Sequence, residues 1–177
     1  MSSINFIMKG FHMISLIIKD NRAFMSHLLI KPTFDSLLLS EAAIATANTY
    51  TISGAVNPEF YTTEELEELD NRKYSTWQDI KPFCFSLVKG SKTPTTMKIV
   101  FLLPDALCST VLESSSASFS LEDINGLFLN VRYHDGQTLI VTGTSLSTFS
   151  MDKSLDKAFD EYVRHFLANS GIDFEEA

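Results

Sequence analysis

The side chains best suited to bind something gather around a single glycine. Lys89, Lys92 and Lys98 surround residues 90–96. A lysine that closes a helix complements the negative end of its dipole, and a second ammonium group three residues on is left to project into the connection. Lys89 and Lys92 are therefore candidate contacts for an acidic partner or a small anion. Glu41 stands in the aliphatic-rich stretch 37–44. A carboxylate there either faces water from a half-buried strand or is paired inside with a raised pKa, and the wet face is the expectation. Arg132 lies in a predicted hairpin strand, across from Leu139. Lys89, Lys92, Glu41 and Arg132 are the candidate binding residues, and no residue has a catalytic assignment.

Other chemistry is sought without success. Gly90-Ser91-Lys92-Thr93 resembles the tail of a phosphate-binding P-loop, but position 85, where the motif needs a glycine, is Phe. A helix is predicted before it and a strand after it, the reverse of the order that aims backbone amides at a phosphate. The histidines, His12, His27, His134 and His165, show no metal-ligand spacing. Glu161 and His165 read as a solvated pair one helical turn apart, and Asp135 is explained by a hairpin turn. No Ser or Cys stands in a nucleophile elbow. Thr142-Gly143-Thr144-Ser145 reads as a strand end with a bulge in preference to an anion-binding nest. No metal and no cofactor are implied.

Composition narrows the partners. Lys and Arg number 14 against 22 Asp and Glu, a net charge of −8, which repels phosphate backbones and speaks against nucleic acid. Two cysteines, Cys84 and Cys108, make no disulfide framework and read as buried free thiols of a reducing compartment. The apolar run 13–18 ends at Lys19-Asp20, too short for a secretory segment, and no stretch reaches the roughly 18 apolar residues that a membrane span needs. The expectation is a cytoplasmic protein with no membrane association. Met1, Met8 and Met13 are alternative starts; residues 1–12 read as an extension and 13–177 as a single domain. A chain of this length buries roughly 70% of its unfolded surface and needs no staples.

The elements that must position the candidates follow from pattern. Asp20 caps a helix over about 21–30. Residues 37–45 and 50–53 read as a hairpin around Asn48. Thr62 and Glu65 form a capping box in the acidic section 61–75. A turn over 76–80 precedes a helix with Pro82 in its first turn and Gly90 past its end; Phe83 and Phe85 make that helix apolar on nearly all sides, hence central. Residues 95–103 alternate as a strand, 105–113 form a short helix, and Asp135-Gly136 turns a hairpin that pairs Val131 with Ile140. Leu155, Ala158, Phe159, Tyr162, Val163, Phe166 and Leu167 form an unbroken stripe, so Phe159 and Phe166 are both expected to be buried against the sheet, with an Asp160–Arg164 pair on the wet side. The fold class is α+β, a mainly antiparallel sheet packed against helices that include a long C-terminal amphipathic one. A duplicated α-β-β arrangement over 21–54 and 105–142, as in sliding-clamp-like domains, is the alternative.

Several strings together carry a resemblance: Phe24-Met25-x-x-Leu28-Leu29, Phe34-Asp35-Ser36-x-Leu38-Leu39-Ser40-Glu41-Ala42, Lys81-Pro82-x-Cys84-Phe85-x-Leu87-x-Lys89-Gly90-x-Lys92-Thr93-Pro94, and Gly143-Thr144-Ser145-Leu146 followed by Asp152-Lys153-Ser154-Leu155-Asp156. From Met13 to Glu175 the chain resembles a family of short uncharacterised proteins from Gram-positive anaerobic bacteria, the domain of unknown function numbered 5721. The resemblance implies a bacterial cytoplasmic protein and carries over no functional residue. The residues themselves favour a non-catalytic interaction or regulatory module with a protein partner or self-association. The alternative is a small enzyme or ligand-binding domain using Glu41, Lys89, Lys92 or Arg132.

Overall fold

Asp135 and Gly136 set the central hairpin. Both take positive φ, +49° and +77°, as a type I′ turn requires, and Asp-Gly adopts that conformation at low cost. The turn joins β5 (Ile124–His134) to β6 (Gln137–Leu146) in the expected register, Val131 opposite Ile140, Leu129 opposite Thr142 and Arg132 opposite Leu139. The computed structural model describes residues 13–90 and 92–177; the extension over 1–12 and the choice of start lie outside the described residues.

Among the described residues five further strands join the same sheet: β1 (Ser15–Ile18), β2 (Leu38–Ala45), β3 (Thr49–Ser53), β4 (Thr96–Leu102) and β7 (Phe174–Glu176). Their order is β3-β2-β4-β5-β6-β1-β7, and every neighbouring pair is antiparallel. The helices are α1 (Asn21–Leu29), α2 (Thr63–Glu68), α3 (Trp77–Val88), α4 (Asp105–Ser114) and α5 (Ser154–Asn169). Strand alternation sorts the two faces of the sheet. Ile99, Phe101, Leu129, Val131 and Ile140 enter a core shared with buried residues of α1, α3, α4 and α5. Lys98, Val100, Asn130, Arg132 and Leu139 point to the other face, as the register of β4 with its neighbours requires.

Strand order decides between the two arrangements weighed from sequence. β2 and β5, the first strands of the two α-β-β segments, both flank β4 and run parallel to each other, while α1 and α4 feed the same core. Two such units are mirror images, so no rotation superposes them, and the duplicated alternative does not describe this sheet.

The core is organised around aromatic rings. Phe34 stacks on Phe101 with centroids 5.6 Å apart and receives the edges of Phe24 at 5.8 Å and Phe166 at 5.5 Å. Trp77 meets Phe101 edge-on at 5.2 Å. Such pairs favour offset and edge contacts and add to area burial.

Three expectations are corrected. α3 is continuous from Trp77 to Val88 with Pro82 inside it, with no separate turn over 76–80. Pro82 and Gln78 are both exposed, so the carbonyl that Pro82 leaves without a donor faces water and the cost is small. Nor is α3 central: it buries Trp77 and Cys84, whereas Phe83 is 64% and Phe85 39% exposed. Finally, Asp160 and Arg164 do not pair on the wet side. Asp160 is buried and accepts from Thr142 Oγ1 at 2.7 Å; Arg164 binds Glu161 at 2.5 Å and Glu176 at 2.7 Å.

On the α5 stripe Phe159 is fully buried as expected, whereas Phe166, expected buried as well, is only half-buried. Phe159→Ala should cost about 3–5 kcal/mol and Phe166→Ala clearly less. Equilibrium unfolding in urea measures both, and a loss under about 1 kcal/mol for Phe159→Ala would contradict the docking of α5.

Candidate functional site

The fold divides the four candidate residues between two surfaces. Glu41 and Arg132 lie on the sheet face opposite the helices. Glu41 reaches it through a bulge: Leu39 pairs with Phe101 but Glu41 pairs with Val100, so Ser40 is the extra residue. Without that insertion Glu41 would share the core side with Leu39; with it, Ala42 and Ile44 turn inward and Glu41 turns out. Gly54 makes the bulge possible. Its N–H donates to the Ser40 carbonyl at 2.9 Å, and a Cβ there would fall inside the Leu39 carbonyl. On the outer face Lys98 stands directly across from Arg132, a like-charge pair that is unfavourable alone. Lys98 Nζ turns away to bind Glu41 Oε1, both side chains remaining nearly half exposed. The wet-face reading of Glu41 holds. An ion pair so exposed contributes about 0–1 kcal/mol.

Lys89 and Lys92 belong to the helical layer. Lys89 is the C-cap residue of α3, its N–H bound to the Phe85 carbonyl at 2.8 Å, and its side chain is exposed. Lys92 is exposed in the connection to β4. Helix, connection and strand follow one another in the order that rules out a P-loop, and Thr142, Gly143, Thr144 and Ser145 are spent in the β5–β6 ladder.

Beside Lys89 runs a groove between α1 and α3, and its geometry follows from two anchors. The Trp77 indole N–H donates to the Leu28 carbonyl at 2.7 Å, tying the first residue of α3 to the last turn of α1. One turn on, Lys81 Nζ donates to the Lys31 carbonyl at 3.1 Å and meets Asp35 Oδ1 at 2.5 Å, a mostly buried pair. The two helices are thereby held side by side. Between them are two adjoining hollows of about 370 and 290 Å³ that share Arg22, Met25 and Val88 as walls. Ile30 and Phe85 line the larger, 65% and 39% exposed; Pro94, Met97 and Tyr133 close the smaller. Arg22 and Lys89 form the rim, and no Asp or Glu lines either hollow. Arg22, Met25 and Ile30 escaped the sequence reading. The signal was Ile30 itself, an aliphatic residue past the end of the α1 stripe, and Phe85, which was read as core.

Two other hollows are larger and more polar or more open. One of about 590 Å³ lies between α4 and α5, lined by serines and by Lys157, Glu161 and His165. His165 Nε2 and Glu161 Oε2 are 3.9 Å apart and exposed, a solvated pair. The other, about 700 Å³, lies between residues 70–76 and the start of α4, where Arg72 is bound to Asp79 at 2.8 Å. Burial raises both thiols, Cys84 and Cys108, to about 11, and a thiol so rarely ionised is a poor nucleophile. Among the described residues no group of three or more His, Cys, Asp or Glu is placed to hold a metal ion, and no helix is long and apolar enough to cross a membrane.

A family model matches residues 27–175. The chain belongs to the family of unknown function DUF5721. No curated protein and no solved structure matches it. The match begins at His27, later than the Met13 from which the resemblance was drawn. Ile30, Phe85, Val88 and Lys89 of the groove therefore lie inside the DUF5721 segment, and Arg22 and Met25 precede it.

His27, on the first turn of that segment, reports the electrostatics at this end of α1. Its Nδ1 is hydrogen-bonded to Thr33 Oγ1 at 2.8 Å, and Lys31 Nζ lies 3.4 Å from Nε2. Burial first, and the Lys31 charge second, lower its pKa from the ordinary 6.5. The neutral ring is favoured in the fold, so its share of stability is complete above about 6.5 and is lost as pH falls through the lower folded value. An NMR titration should place His27 below 6.5, and Lys31→Met should raise the midpoint. A midpoint at or above 6.5 in the unmodified protein would contradict this environment.

Proposed function

We propose that this protein is a non-catalytic interaction module that docks an acidic, amphipathic segment of a protein partner in the groove between α1 and α3. The observation that carries the reading is the pairing of exposed Ile30 and Phe85 with a rim of Arg22 and Lys89 and no lining carboxylate, on a chain whose net charge is −8. Burying a large apolar side chain is worth about 1.5–3 kcal/mol, which exposed Ile30 and Phe85 have yet to realise. The cationic rim selects the sign of the partner and speeds encounter. The groove walls are fixed by Trp77 and Lys81, so little ordering cost attends binding.

An enzyme or small-ligand domain built on the four candidate residues is less well supported. Only Lys89 lines one of the hollows described, while Glu41 and Arg132 face away from the helical layer. A cytoplasmic setting belongs to the same reading, since buried free thiols suit a reducing compartment.

Titration of the isotopically labelled protein with a designed acidic helix of Glu and Leu tests the proposal. The expected result is amide shifts concentrated in residues 22–30 and 85–94, weakened about tenfold by Ile30→Ser and by Lys89→Glu, with the melting temperature unchanged. Lys92→Glu should also leave stability within about 0.5 kcal/mol while reducing peptide affinity. Shifts spread over other surfaces, or none at about 1 mM peptide, would overturn the reading.

A further inference from the structure

The structure assigns the groove an occupant: we propose that it takes the acidic segment 58–70 of a second copy of this chain. The inference rests on the docking reading above and names the partner it leaves open. Between Glu59 and Asp70 stand Glu64, Glu65, Glu67 and Glu68 as well, with no Lys or Arg among them. This is the complement of a rim made of Arg22 and Lys89. The same segment presents Phe60, 79% exposed with Tyr61 edge-on at 5.2 Å, and half-buried Leu66 and Leu69. Apolar side chains framed by carboxylates are what apolar hollows framed by cations would recognise.

The segment is also preformed. Thr62 Oγ1 accepts from the Glu65 N–H at 3.2 Å, and Glu65 Oε2 accepts from the Thr62 N–H at 2.8 Å, a complete capping box. Asp70 and Asn71 adopt φ of +54° and +48° and end the turn abruptly. α2 buries no residue of its own, so its helical form serves no part of the core. A capped acidic ridge and an anchored basic-rimmed groove on one chain make a plug and a socket. Two copies that exchange plugs reciprocally form a closed dimer, with Phe60 of each seated against Ile30 and Phe85 of the other. The charge of −8 on each copy opposes this at long range. At about 150 mM salt that repulsion is screened beyond about 8 Å, while contact pairs persist.

Sedimentation of the full chain over a concentration series at that salt tests the proposal. The weight-average mass should rise with concentration. Phe60→Ser, which spoils the plug, and Lys89→Glu, which spoils the socket, should each weaken association at least tenfold without lowering the melting temperature. An equimolar mixture of the two variants should associate more strongly than either alone, because the mixed dimer keeps one intact contact. A monomer at every concentration, association insensitive to both variants, or a mixture no stronger than its components overturns the inference. The designed acidic helix separates the two failures. If the chain stays monomeric while the helix still shifts groove amides, the second copy is excluded and the docking reading stands. If neither binds, the groove is no docking site.

Discussion

The indole N–H of Trp77 reaches the carbonyl of Leu28 while its ring is fully buried against Phe101. A helix leaves its last carbonyls without partners, and α3 supplies one of them to α1 from a side chain 49 positions away. The backbone N–H of the same residue binds the Leu37 carbonyl at 2.8 Å, so α3 is fixed to the chain entering β2 as well. Lys81 repeats the device one turn later with the Lys31 carbonyl and Asp35. The spacing of the two outer helices, the depth of the groove between them and the outward aim of Phe85 all depend on this pair of anchors. A tryptophan whose N–H lost its acceptor would leave two buried polar groups unmatched.

Charge is distributed unevenly over this frame. On the sheet face Lys98 faces Arg132, and Glu41 offsets the pair. On the helical layer Arg22 and Lys89 line a groove without carboxylates, and the acids that would balance them stand on the 58–70 excursion. The chain is thus acidic as a whole and basic along this groove. That contrast, together with the apolar lining, is what distinguishes the groove from the larger hollow beside α4 and α5.

How much of this was legible in the sequence depended on whether the cause was local. The β5–β6 hairpin was readable because Asp135-Gly136 dictates its turn, and α5 because seven apolar positions keep its period. Asp160 was misplaced because its partner is a hydroxyl on β6, which no helical pattern reveals; Asp was read as wet by default. Pro82 was taken as a helix boundary because its steric rule is local, whereas the force that holds α3 together through it, burial of Trp77, is not. The side of Glu41 hinged on a one-residue bulge that only Gly54, across the hairpin, makes room for. The groove was half seen: Lys89 was flagged from its position at a helix end, and its apolar floor was mistaken for core.

β1 fills the place between β6 and β7, with Leu16 opposite Ile140 on one side and Glu176 on the other. Its hydrogen-bonding partners lie more than a hundred residues downstream. On the ribosome, at about 5–20 residues per second, the β2–β3 hairpin and β4 can be made while Leu16 and Ile18 wait roughly 6–25 seconds for β6. The pairing of β1 is among the most non-local in the sheet, a kind of contact that slows folding, and without β1 the β6 strand is a bare edge open to any other chain. β7, a three-residue strand ending in Glu175 and Glu176, then covers the outer edge of β1, and an edge so short and charged discourages further pairing.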